Sequence, residues 1–231
     1  MTPLASLALA MLFLIVTHFA LSHPLRAPLV RWLGERGFIF LFMAVAVAAL
    51  VWMSQAWGAT APDAGWVAPF WWWPIASAIT LFASILLAGS LVRNPAFPRP
   101  GAAPRPITRE PTGVFAITRH PGNWSFMLWA LAHLSISTST RNLLVAGGVL
   151  FLAFFGTLAQ DAKKSRQLGP IWKDWEARTS FIPFAALLQG RINWRAANPG
   201  WIALVGGLVF WALATSYHAP LVSPLGDLLS R

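Results

Sequence analysis

Apolar runs long enough to cross a bilayer recur six times along this 231-residue chain, and they constrain its fold more than any other feature. A spanning helix needs about 20 mainly apolar residues, because inside hydrocarbon only a helix or a closed barrel satisfies every backbone N–H and C=O. The six segments run roughly 3–22, 38–57, 70–92, 122–138, 142–160 and 199–217. They predict an all-α fold, a polytopic integral membrane helix bundle of about six transmembrane helices, with 1–231 forming a single domain. Charged residues make up only 10% of the chain, against about 25% in a soluble domain. So few charges cannot cover a folded surface in water, but they can cover the loops of a membrane bundle. The 14 Trp suit belts at headgroup level, where an apolar ring with one polar donor is at home.

Charge placement predicts orientation. Of the 17 Lys and Arg, all but Arg141 and Arg231 fall in the first, third and fifth connections. Basic loops stay in the cytoplasm, so both termini are expected outside, and a bacterial-type inner (cytoplasmic) membrane is the expected location. The net charge of +10 is thereby read as orientation signals, and no nucleic-acid partner is expected. No positive residue precedes the first apolar run, as a secretory signal would require, so that run is read as a retained helix.

The fourth span is the shortest and most polar, with His133, Ser135 and Ser137, which suggests an interior position in the bundle. An amphipathic stretch, 27–37, follows the first span, and a Pro-rich loop, 94–111, separates the third from the fourth. Within the long connection 161–199, residues 163–178 alternate charge with Trp172 and Trp175, as an interfacial helix would.

Histidine is the residue type most able to carry chemistry here. There is no cysteine, which excludes disulfides, a covalently attached c-type haem and cysteine-ligated clusters. His18 lies inside the first span and His133 inside the fourth. An intramembrane histidine is either a neutral ring bonded to a nearby carbonyl or a functional group such as a haem or metal ligand. The two differ in depth by roughly 9 Å on regular helices, a gap that tilt or a kink would have to close. His120 and His133 are thirteen residues apart, about 140° around one helix, so they do not share a ligand plane. Arg119-His120-Pro121 opens the fourth span, with Pro121 suited to a first helical turn. That triplet is either a membrane-entry motif with a snorkelling arginine or a site for an anionic group. Asp161, at the end of the fifth span, could pair with either basic group, but the simpler reading of a surface acid is preferred. His23 and His218 are read as interfacial.

The stretch TRHPGNWSFMLWALAHL (118–134), together with RTSFIPFAALLQGR (178–191), resembles the NnrU family, and most of all the branch that contains 15-cis-ζ-carotene isomerase. THFALSHPLRAPLVRWLGERGF (17–38) is similar to the histidine segment of that branch. The resemblance implies an integral membrane protein with haem b, whose ligating histidines map onto His18 and His133, with His23 as a substitute for His18. Arg119 and His120 would then stand as further cofactor-binding residues, partners for the haem propionates. Ala130 occupies the position of a cysteine in the plant isomerases. The implied activity is cis–trans isomerisation of an apolar, carotene-like polyene reached from the lipid phase. The family's association with denitrification implies, as an alternative, a haem-binding accessory role in nitric-oxide metabolism. RHP at a helix start followed by LGxxWxxW and FIP is also similar, more distantly, to membrane methyltransferases that use S-adenosylmethionine. Asn123 and Ser125 replace the tyrosine and glycine of that pattern, and Asp161 stands alone where a glutamate pair is usual.

Overall fold

The computed structural model describes residues 1–92, 94 and 110–216. Its helices are α1 (Pro3–Ser22), α2 (Arg26–Ala59), α3 (Trp73–Ser90), α4 (Val114–Ile117), α5 (Pro121–Ile136), α6 (Thr140–Leu168), α7 (Pro170–Arg178), α8 (Ala185–Leu188) and α9 (Gly200–Ser216). Helix starts follow local chemistry. The Thr2 hydroxyl accepts from the Ala5 N–H at the start of α1, and prolines occupy the first turn of α1, α3, α5 and α7, where no intrahelical N–H is required.

The six long helices form a row in the order α2, α1, α6, α5, α3, α9, each packed on the next. All six apolar segments are helical. Four of them are long and apolar enough to cross a membrane: α1, α2, the Phe70–Ser90 segment that contains α3, and α6. α9 is apolar but has 17 residues, and α5 has 16. α5 is inserted between α3 and α6, the interior place that its polarity suggests. The helices at the ends of the row bear the most exposed apolar surface, including Phe40, Met43 and Val47 on α2 and Leu208, Val209 and Leu213 on α9. The molecule is thus a membrane helix bundle with an apolar exterior.

Two expected boundaries can be set against these helices. The amphipathic stretch 27–37 is set off from the second span within α2 by a kink at Gly34, whose non-helical φ of +71° suits only glycine at low cost. The fifth span continues to Leu168, so Lys163–Arg178 is not one interfacial helix. Gly169, at φ +54°, ends α6, and α7 follows at an angle. Trp172 and Trp175 are not interfacial; they are 0% and 1% exposed. They pack with Leu86, Val114, Phe115 and Ile117 in a core that caps one end of α3, α5 and α6. Enough apolar surface surrounds α7 to bury both indoles, although their N–H groups find no hydrogen-bond partner among the described residues. Most of the Pro-rich loop, and His218, lie outside the described residues.

Candidate functional site

The backbone just before α5 creates a polar cluster. Thr118 is extended and α5 begins at Pro121, so Arg119 and His120 leave the chain where it turns into the helix. Segment 179–187 docks against them. The Arg119 N–H donates to the Ser180 carbonyl at 2.9 Å, and the Phe184 N–H to the Ile117 carbonyl at 2.7 Å. The Phe181 carbonyl accepts from the Thr118 hydroxyl at 2.7 Å and from the Trp124 indole at 2.8 Å. Phe184 is left-handed at φ 66°, which turns the segment back, and the Arg191 guanidinium donates to the Ala177 carbonyl at 2.7 Å to hold its far end. The two sequence stretches around 118–134 and 178–191 are therefore one structural unit.

Asp161 of α6 joins this unit to the next helix. Arg119 donates to its carboxylate through Nε at 3.0 Å and Nη2 at 2.6 Å. His120 Nε2 lies 2.7 Å from Oδ1. An ionised carboxylate only accepts, so His120 carries its proton on Nε2. The side chains of Arg119, His120 and Asp161 are 15%, 2% and 14% exposed. Asp161 is therefore no surface acid. It is the shared counter-ion of two basic groups, because the inner ends of antiparallel α5 and α6 stand side by side. Sequence signal for this existed in the matching positions of Arg119 and Asp161 at the ends of adjacent spans. A second polar link lies about one turn further along, where the Asn123 amide donates to the Thr157 hydroxyl at 2.7 Å. Glu176, 4.0 Å from Arg119, adds a second carboxylate. Guanidinium and imidazole are thus internally compensated, and an incoming anion would have to displace Asp161.

The intramembrane histidines lie elsewhere. His133 Nδ1 is 2.8 Å from the Trp129 carbonyl one turn back, with the two rings 4.2 Å apart. That bond orients the ring, with Nδ1 donating to the carbonyl. His18 sets its ring edge-on against Phe42 of α2, with centroids 5.0 Å apart. α6 packs against both α1 and α5, and α1 and α5 are not a packed pair. Lys163 at Ser22 and Asp161 at Arg119 place the end of α1 and the start of α5 at one level of α6. His18 is four residues from that end of α1 and His133 twelve into α5, so their depths differ by about 12 Å. The structure thus sets the two histidines on helices that are not packed on each other, at different depths. No group of three or more metal-type side chains is present among the described residues. His23 lies at the end of α1, beside Lys163 and Arg166.

Fold and cluster together define a class: a polytopic membrane bundle whose fourth span is locked by a buried Arg–Asp–His cluster. The chain belongs to the family described as NnrU protein, whose profile matches residues 6–224. Among curated proteins it is similar to 15-cis-zeta-carotene isomerase, chloroplastic, of Arabidopsis thaliana. That match is 34% identical over 80 residues, which is 35% of this chain and 22% of the relative. The Zea mays protein of the same description is 31% identical over the same shares of the two chains. The match thus spans about a fifth of each relative. No solved structure matches.

Proposed function

We propose that this protein isomerises a cis double bond of an apolar, carotene-like polyene that reaches it through the lipid phase. The observation that carries this reading is the similarity to two 15-cis-zeta-carotene isomerases in a chain whose exterior is apolar. Isomerisation needs no second substrate and no net redox change, which suits a small helix bundle. Rotation about a double bond asks the protein to hold the two halves of a long apolar molecule at a chosen angle, and packed helices do that. Haem b belongs to the proposal through the family resemblance. His133 is the residue whose ring is oriented for an axial bond. His18 is on α1, which packs on α6 and not on α5, so the expected state is iron held by one histidine rather than two. A bacterial inner membrane is the proposed location.

The test is co-expression in the dark with enzymes that accumulate tri-cis-ζ-carotene, followed by chromatography and an optical spectrum of the purified protein. Conversion to the di-cis isomer, lost in His133→Ala and kept in His18→Ala, is the expected result. Equal loss in both variants, with a low-spin spectrum in the parent protein, would restore two-histidine ligation. A haem-loaded protein without conversion would favour the accessory role in nitrogen-oxide metabolism. Calorimetric binding of S-adenosylmethionine, lost in Arg119→Ala, would favour the methyltransferase reading.

A further inference from the structure

A cavity of about 280 Å³ opens where the C-terminal end of α1, the start of α2 and the last turns of α6 meet. It is lined by Ser22, His23, Arg26, Lys163, Arg166 and Gln167, with Ala27. None of these takes part in the Arg119–Asp161–His120 cluster.

Three lining residues are cations, and Lys164 is close enough to Arg26 to feel its charge. Among the described residues, the carboxylate paired with this group is Glu35, 3.0 Å from Arg26. Lys163 donates to the Ser22 carbonyl at 3.3 Å. Arg166 Nε donates to the Ala162 carbonyl at 3.2 Å. Among the described residues, three lining cations are thus set against one carboxylate. Burial, and then the charges of Lys163 and Arg166, hold His23 below the ordinary histidine range. Positive charge is in excess here.

The setting is as specific as the charge. The cavity lies at one end of three helices, each of which contains a stretch long and apolar enough to cross a membrane. Leu25 and Trp32, which flank Arg26 along the chain, are 45% and 80% exposed, as anchors at the water–lipid boundary are. The cavity is just below the volume of a drug-sized pocket, about 300–1,000 Å³, and is open to its surroundings.

We propose that this cavity binds the phosphate of an anionic lipid headgroup, with Arg26, Lys163 and Arg166 as the phosphate-binding residues and His23 as a further hydrogen-bonding partner. Lys and Arg bind phosphate through charge-assisted hydrogen bonds, and basic pockets between spans recognise anionic headgroups. The acyl chains then lie along the exposed apolar faces of α1 and α2. A lipid held there ties α1 and α2 to α6, the helix that carries Asp161.

The test is native mass spectrometry of the full chain in detergent, incubated with equal amounts of phosphatidylglycerol and phosphatidylcholine. The unaltered protein is expected to retain phosphatidylglycerol in preference. One basic residue is worth about fivefold in such binding and two about thirtyfold, so R166Q should cut the preference about fivefold and K163Q/R166Q about thirtyfold. R195Q, an exposed arginine outside the cavity, should leave it unchanged. Arg166 is itself exposed, so R166Q reads the site even if the double variant does not fold. Equal retention of the two lipids, or an R166Q preference equal to that of the unaltered protein, overturns the proposal. Saturation by millimolar inorganic phosphate without lipid retention overturns the lipid source and assigns the cavity to a soluble phosphate.

Discussion

At the scale of single residues, Asp161 does the most to couple chain segments far apart in sequence. It satisfies Arg119 and His120 together, and all three side chains are largely out of water. Removing one member of such a group leaves the others desolvated and unpaired. Asp161→Asn is therefore expected to cost about 3 kcal/mol, read as a lowered unfolding midpoint in detergent. Asp174→Asn provides the comparison: that carboxylate is 64% exposed and pairs with Arg178 within a single turn of α7, and an exposed pair of this kind contributes about 0.5 kcal/mol or less. Equal effects of the two substitutions would mean that the shared carboxylate has no special weight. The same cluster changes the meaning of Arg119. Its charge serves the contact between α5 and α6 before it serves any ligand.

Between elements, the closest approach is made by glycine. At Gly207 of α9 an added Cβ would fall 2.6 Å from the Ile85 Cα and 2.7 Å from its backbone nitrogen. Backbone cannot move aside as the end of a side chain can, so α9 must shift away from α3. Gly207→Ala is expected to destabilise the bundle by about 2 kcal/mol, measured by the same unfolding assay. Gly147 of α6 has nothing within 4 Å of the corresponding point. There alanine should be neutral or stabilising by up to about 1 kcal/mol, through helix propensity alone. A neutral Gly207→Ala would show that α9 is not held against α3 in the membrane. The opposite end of α5 is fastened differently. The Trp72 indole donates to the Ser135 hydroxyl at 2.9 Å, and the Asn142 amide donates to the carbonyls of His133 and Ser137. A short, polar helix is thus pinned at both ends by its neighbours rather than by its own hydrophobicity.

For the whole molecule, the basic ends of the row should lie on one side of the membrane. The cavity of Arg26, Lys163 and Arg166, the Arg119 cluster and the α7 cap share one end, and Arg141 and Asp63 mark the other. Reporter fusions after Leu168 are expected in the cytoplasm and fusions after Pro62 in the periplasm, as alkaline phosphatase and fluorescent-protein pairs would read. The reverse pattern would place the cluster and the cavity outside and remove the orientation argument. Hydropathy is a property of each segment by itself. The amino-acid sequence alone therefore determined that the apolar segments are helical, four of them long enough to cross a membrane, and which connections carry the charge. The stretches at 118–134 and 178–191 were legible as belonging together, and family membership followed from them. Neighbour relations are not local, so tertiary structure decided the rest. It put α6 between the helices of His18 and His133, which no spacing along the chain could reveal. It turned Asp161 inward to two partners 42 and 41 residues away. It also buried Trp172 and Trp175, whose alternation with charge reads as an interfacial helix until α4 and the end of α3 close over them. The physical reason is common to all three. A bilayer selects apolar helices one at a time, whereas the polar groups at their ends are satisfied only by whichever helix end packs beside them.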